Sequence, residues 1–241
     1  ANVIWDIYSD RPGPANDPYN YDPAGDACGS GEGQGWNREH TVPQSWFTGG
    51  TSSTPGSDYH HIFPTDCQVN SWRGSWIYSE VSNPTITSQN GSKLGSSSFE
   101  GLNGTAFEPI DEYKGDVARA FFYFVTRYQD NMTGWSGGGN GGQAFEANTF
   151  PSIDIPYLRL MLKWHEQDPV SEKERVRNNG AFSFQGNRNP FVDRPEFVGL
   201  IWNSTCPGLG VLPVNLLYFK GAQRGNLAHL QWQLPGGDNA L

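Results

Sequence analysis

"WNREHTVPQSWF", residues 36–47, sets Arg38, Glu39 and His40 side by side just ahead of a short apolar run and a proline. Further on, "DYHHIFPTD" (58–66) leads into "CQVNSWRGSWIYSEV" (67–81). In that second segment Val69, Trp72 and Trp76 recur at i, i+3 and i+7, the spacing of one helix face. Asn70 and Arg73, three apart, share a different face. The local order is therefore strand, loop, helix, with His40 near the strand and Asn70 on the helix.

Outward from this unit the chain alternates helix-forming text with loops. "NVIWDIY" at the start reads as a strand, and residues 10–35, crowded with Pro, Gly, Asp and Asn, read as loop. Asp6, Asp10, Asp17, Asp22 and Asp26 could hold calcium there, or be plain solvated turns; their spacing matches no EF-hand. "GDVARAFFYFVTRYQD" (115–130) is apolar around most of a helix and predicts the central buried one, with Asp116 favouring its N-terminus. "GWSGGGNGGQ" (134–143) reads as a flexible loop. Pro156 starts a helix through "YLRLMLKWHEQD", and Ser171 with Glu174 forms a capping box for a helix ending at Gly180. Near the end, two strand-like runs separated by a Gly-containing turn begin a second unit near Val211.

At 241 residues the chain has room for one substantial core, and its 14% aromatic content, with 30 Gly and 17 Pro, describes a loop-rich globular protein. The net charge of −9 argues against a partner held by a general basic field. The basic residues are unevenly spread, however: only Arg11, Arg38 and Arg73 precede residue 90, whereas Arg159, Lys163, Lys173, Arg175, Arg177, Arg188 and Arg194 crowd a short later segment. Cys28, Cys67 and Cys206 show no CxxC spacing, which removes a zinc ribbon and leaves one disulfide plus one thiol as the simplest pairing. No apolar run is long enough to span a membrane.

Glu39, His40, His60, His61 and Asn70 supply nitrogen and oxygen donors, yet no HExxH, GxSxG or GxxxxGK[ST] pattern is present. A strand histidine followed by a helix asparagine suits a single hard cation such as Mg²⁺, which keeps most of its waters and needs one or two protein oxygens. Phosphodiester hydrolysis needs a barrier reduction on the order of 20 kcal/mol. One cation for charge and leaving group, with one neutral histidine for the proton, is a sufficient minimal site. The bland alternatives are a surface ion pair, a satisfied core histidine and an unremarkable helix asparagine. If His60 and His61 lie on a strand, they point to opposite faces and at most one faces such a site.

Six ordered stretches then carry a resemblance: "NREHTVPQSWF", "DYHHIFPTDCQVNSWRGS", "GSKLGSSSFEG", "FEPIDEYKGDVARAFFYFVTRY", "MLKWHEQDPVSEKERVRNN" and "QGNRNPFVDRPEFVGLIW". Together they resemble the bacterial endonuclease I family of periplasmic and secreted nucleases, over residues 1–203. The resemblance implies an α+β, mostly helical mixed fold containing a ββα-metal (His-Me finger) core. It implies cleavage of DNA, and also RNA, with little sequence preference, to 5′-phosphate products. By position His40 matches the general base, and Glu39 and Asn70 match the metal ligands, for Mg²⁺ with Mn²⁺ or Ca²⁺ as alternatives. Arg73, Gln185, Asn187 and Arg188 match recurrent positions and are assigned to phosphate contact or site support, as are Arg38, His60 and His61. Some relatives carry a transition-state arginine in the loop after the base; residues 48–57 contain none, so that role falls to Arg73, Arg188 or another arginine, or is absent.

The expectation is thus a secreted or periplasmic bacterial nuclease, monomeric, with no membrane span. Residues 1–207 would form the nuclease domain, lacking an N-terminal part, and residues 208–241 a linker and the start of a truncated β-rich domain similar to a sorting module. A glycan-binding surface module, suggested by nine Trp, and an inactive nuclease relative are the competing readings.

Overall fold

The computed structural model describes residues 4–12, 17–24, 27–48, 50–135, 139–205, 218–224 and 227–233. The decisive segment folds as β1 (Trp36–His40) and β2 (Ile62–Asp66), antiparallel with His40 opposite Ile62 and Trp36 opposite Asp66, followed directly by α1 (Cys67–Arg73). Asp66 ends β2 and caps α1, its side chain accepting from the Val69 backbone N–H at 2.8 Å. Gly74, at φ 52°, ends the helix, so Trp76 falls outside it. Of the three cysteines, whose pairing the sequence left open, Cys28 and Cys67 form the disulfide, which staples the irregular segment 27–35 to the first residue of α1. Cys206 lies outside the described residues.

A four-stranded sheet follows, from β3 (Ile77–Tyr78), β4 (Val81–Thr87), β5 (Lys93–Ser97) and β6 (Thr105–Glu108), in the order β3-β6-β5-β4. Only β3 and β6 run parallel. The central helix α2 (Lys114–Arg127) is buried on every face from Lys114 to Val125, as its all-round apolar character predicts. Each of Phe121, Phe122 and Phe124 contributes roughly 1.5–3 kcal/mol of burial.

Around α2 lie α3 (Met132–Trp135), α4 (Ile155–Gln167), α5 (Glu172–Gln185), α6 (Pro190–Asp193) and α7 (Glu196–Trp202). Tyr157 of α4 meets Phe121 edge-on at 4.9 Å, and Trp202 of α7 stacks on Phe122 at 4.6 Å. β7 (Tyr218–Arg224) and β8 (Leu227–Gln233) form an antiparallel hairpin, as their strand-like text suggested. The expected domain boundary at 207/208 lies outside the described residues. The architecture is α+β, as expected.

Three local expectations are corrected. Around "NVIWDIY" the described residues 4–10 form no strand, because the Asp6 carboxylate accepts from the Tyr8 N–H at 2.7 Å and closes a turn instead. Residues 134–143 are not all loop: α3 ends at Trp135, and Gly139–Gln143 is a 3₁₀ turn. α5 does carry the Ser171–Glu174 capping box, but it runs past Gly180 to Gly186, which takes the left-handed cap at φ 82°.

Candidate active site at the end of strand β1

Alternation along β1 sends Asn37 and Glu39 to one face and Arg38 and His40 to the other. α1 lies against the first of these faces. Asn70 donates from Nδ2 to Asn37 Oδ1 at 2.7 Å and to the Arg38 carbonyl at 3.3 Å. Arg73, one helical turn on, brings Nε to 3.2 Å from Glu39 Oε1. The amide nitrogen of Asn70 is thereby held, and its Oδ1 is the end left over.

Glu39 is buried, with 2% exposure, in a cage of Arg73, Tyr8 and Tyr78. Tyr8 Oη donates to Oε1 at 3.0 Å and Tyr78 Oη to the same oxygen at 3.1 Å, while the two hydroxyls lie 2.7 Å from each other. Every one of these contacts falls on Oε1, so Oε2 has no protein donor among the described residues. Burial raises the Glu39 pKa above the ordinary carboxylate value, opposed by Arg73 and the two tyrosines. A cation on Oε2 would oppose it further. Arg73 is itself buried. Its Nη1 donates to the His40 and Gly74 carbonyls at 3.3 and 3.0 Å, and its Nη2 to the Thr41 carbonyl at 2.8 Å. The sequence set Arg73 against phosphate; in the structure its donors face Glu39 and the backbone at the end of β1.

His40, half-buried, points the other way. Its Nε2 lies 3.0 Å from the Gly56 carbonyl, which can only accept, so the proton sits on Nε2 and the lone pair on Nδ1. Gln44 Nε2 lies 3.0 Å from the same ring nitrogen and 3.5 Å from Nδ1, so in that tautomer the ring atom able to accept from it is Nδ1. Burial lowers the His40 pKa below the usual histidine value, with the Gly56 carbonyl opposing and Arg73 and Arg38 adding to the shift. The imidazole is therefore neutral at pH 7 and able to accept a proton. Arg38 is exposed on this same face.

His60 and His61 are not on a strand. They end a 3₁₀ turn, Tyr59–His61, capped by Asp58, and both are buried. His61 Nε2 lies 2.6 Å from the Pro55 carbonyl and its ring centre 5.5 Å from that of His40; burial pushes its pKa down to about 4. His60 Nε2 lies 3.2 Å from the Asn187 carbonyl. Gln185 accepts from the Tyr59 N–H at 2.9 Å and donates to Asp58 and Asn187 at 2.8 and 2.7 Å. Asn187 donates to Tyr123 Oη at 2.6 Å.

Burial pushes the Asp58 carboxyl up, but Gln185, the His60 N–H, Tyr128 and Tyr123 outweigh it and hold it below the usual range. Gln185, Asn187 and His60 thus fasten the turn that follows Gly56. Arg188 instead pairs with Asp193, Nε to Oδ2 at 2.7 Å and Nη2 to Oδ1 at 2.7 Å, and none of its polar contacts is with β1, β2 or α1.

Four residues escaped the sequence reading: Tyr8, Tyr78, Gly56 and Gln44. The tyrosines lie 31 and 39 positions from Glu39, so no local periodicity reveals them. Gly56 had a weak signal, a glycine after proline in "TPGS". A Cβ at Gly56 would sit 1.8 Å from the Gly50 carbonyl oxygen, which is why no larger residue fits.

As a donor set, Glu39 Oε2 and Asn70 Oδ1 are two hard oxygens, each presented by a side chain whose other end is clamped. This fits a cation such as Mg²⁺ that retains most of its waters. Among the described residues no group of three or more His, Cys, Asp or Glu is placed to hold a metal. Asp26 lies outside the described residues.

The endonuclease I family model matches residues 1–196. An extracellular ribonuclease of Bacillus amyloliquefaciens is 40% identical over 172 residues, covering 69% of this chain and 54% of that protein. An extracellular ribonuclease of Bacillus subtilis (strain 168) is 37% identical over 172 residues, with the same coverage of each. An endonuclease-1 of Buchnera aphidicola subsp. Baizongia pistaciae is 24% identical over 136 residues, 56% of this chain and 46% of that protein. The chain spans about half the length of the curated relatives it matches.

Proposed function

Because the chain belongs to the endonuclease I family, we propose that it is a metal-dependent endonuclease that hydrolyses phosphodiester bonds of DNA and RNA without sequence preference, leaving 5′-phosphate ends. The observation that carries this reading is the division of β1: clamped Glu39 and Asn70 offer free oxygens on one face, and an oriented neutral imidazole stands on the other. RNA is included because two relatives are named extracellular ribonucleases.

Glu39 Oε2 and Asn70 Oδ1 would hold Mg²⁺, with Mn²⁺ or Ca²⁺ as substitutes. When bound, the cation supplies positive charge to the phosphate oxygens and the leaving 3′-oxygen. His40 Nδ1 takes a proton from a water; the water oxygen bonds to phosphorus, the P–O3′ bond breaks, and the 3′-oxygen leaves to be protonated. The Gly56 carbonyl keeps the Nε2 proton in place throughout, so the ring presents its lone pair at Nδ1. Arg73, Tyr8 and Tyr78 position Glu39 and do not reach substrate. Arg38, exposed two residues before His40 and so on the same face, contacts phosphate. Phosphate contacts carry no base information, which accounts for low sequence preference.

The Cys28–Cys67 disulfide suits an oxidising compartment, in keeping with a secreted or periplasmic protein. Among the described residues no helix is long and apolar enough to cross a membrane. The test is plasmid nicking with Mg²⁺ and with EDTA. Wild type should nick only with the cation and His40→Ala should not; full Mg²⁺-dependent nicking by His40→Ala would remove the base assignment.

A further inference from the structure

α5 is turned inside out. Its buried positions are Glu174, Asn178 and Ala181, whereas Val176, Phe182 and Phe184 are exposed, Phe184 at 81%. Polar residues face inward for a clear reason: Glu174 pairs with buried Arg119 of α2 at 2.6 Å, and Asn178 is bonded to the Asn189 carbonyl and Asp193. No such reason explains the phenylalanines outside.

Phe184 has a neighbour. Tyr59, itself 37% exposed, lies with its ring centre 6.4 Å from that of Phe184, the planes tilted by 50°. Tyr59 is fixed on several sides. Its N–H donates to Gln185 Oε1, its carbonyl accepts from Arg177, and the Arg177 guanidinium lies 4.3 Å from its ring centre. That guanidinium also covers Phe63 at 3.9 Å, donates to the Ile62 carbonyl, and makes no ion pair among the described residues. It braces the Tyr59 ring by a cation–π contact, while the carboxylates of Asp116, Glu174 and Asp58 act electrostatically on the same guanidinium. Tyr59 is also three residues beyond Gly56, whose carbonyl orients His40, a chain distance of at most about 10 Å.

We propose that Phe184 and Tyr59 form a stacking platform for an unpaired base of the substrate strand, one or a few nucleotides from the bond that is cut. An exposed aromatic pair, one ring of it held by a guanidinium, is the chemistry that holds single-stranded nucleic acid, since every base offers a π-face. Bases inside a duplex are already stacked and cannot use it. The site would thus favour single strands, or unpaired segments, over intact duplex. This inference rests on the nuclease reading above and adds the strandedness of the substrate.

The test uses the full chain carrying His40→Ala, so that nothing is cut, and measures fluorescence anisotropy with a labelled oligo(dT) and with a duplex of the same length. The unmodified platform should bind the single strand more tightly than the duplex. Phe184→Ser and Tyr59→Ser should each reduce the single-strand to duplex affinity ratio about tenfold. Phe182→Ser, two residues away on the opposite flank of α5, should leave it unchanged. No single-strand preference, or equal effects of Phe184→Ser and Phe182→Ser, would overturn the platform. So would sedimentation showing self-association that Phe184→Ser abolishes while oligonucleotide affinity stays the same. Plasmid nicking in Mg²⁺ by protein with His40 intact is read separately: nicking without platform-dependent binding removes the platform alone, and platform-dependent binding without nicking removes the hydrolysis alone.

Discussion

Glu39 and His40 are consecutive residues in opposite surroundings. Glu39 lies in a cage whose three partners, the hydroxyls of Tyr8 and Tyr78 and the Arg73 guanidinium, come from distant parts of the chain and fall on one oxygen. His40 stands half-buried in a loop-built recess where a backbone carbonyl, held by the close packing of Gly56 on Gly50, fixes its tautomer. The cage resists rearrangement because a buried carboxylate without its partners is costly. The recess has only to hold one ring at one angle. A strand's alternation thus lets two adjacent residues receive unlike environments, one clamping a buried carboxyl and one keeping a base neutral.

The comparison can be broken from either side. On the recess side the largest effect is expected from His40→Ala, a loss of about 100- to 10,000-fold in nicking rate with the fold intact by circular dichroism. On the cage side Arg73→Ala strands the Glu39 carboxylate and should cost about 3–5 kcal/mol in urea denaturation, whereas the same change at exposed Arg38 should cost little. If Arg73→Ala unfolds like wild type, the cage is not structural. Gly56→Ala should lower the nicking rate by displacing the carbonyl on His40, with divalent-cation affinity, a property of the cage, left within about twofold; a parallel loss of both would mean the two walls are not separate.

A further effect concerns Asp6, near the cage. Burial pushes its carboxyl up to about 8, with Asp10 and Asp66 adding and the Tyr8 and Ser9 contacts opposing. A carboxyl whose folded pKa is raised binds more protons folded than unfolded. Its contribution is therefore full below about pH 4 and lost as pH rises through about 8. Asp6→Asn should lessen that decline, gaining stability relative to wild type at pH 8 compared with pH 5. An unchanged slope would show that Asp6 does not titrate this way.

Much of the fold was legible where physics is local. The helix around Asn70, shorter than its spacing suggested because it ends before Trp76, the all-apolar circumference of α2, Pro156 opening α4 and the Ser171–Glu174 box all act within a few residues, and the structure contains each. What failed depended on distant contacts. Gly180 looked like a helix end, but a glycine inside a helix costs only about 1 kcal/mol relative to alanine. Buried Ala181 and the bonds of Gln185 carry α5 past it. On a strand His60 and His61 would point to opposite faces, but the Asp58 cap, whose carboxylate is held by Tyr123 and Tyr128, winds them into a turn. In the site, Glu39, His40 and Asn70 could be singled out from sequence, whereas Tyr8, Tyr78 and the Gly56 carbonyl could not. A tyrosine has no local signature of the carboxylate it will meet, and a carbonyl has none at all.

The central claim is that one strand separates cation binding from proton transfer. It is tested most directly by titrating Mn²⁺ into wild type, Glu39→Gln and His40→Ala under electron paramagnetic resonance, alongside nicking by each. Both variants should lose nicking, Glu39→Gln should lose Mn²⁺ binding, and His40→Ala should bind Mn²⁺ as wild type does. Wild-type Mn²⁺ affinity in Glu39→Gln, or its loss in His40→Ala, would contradict the account.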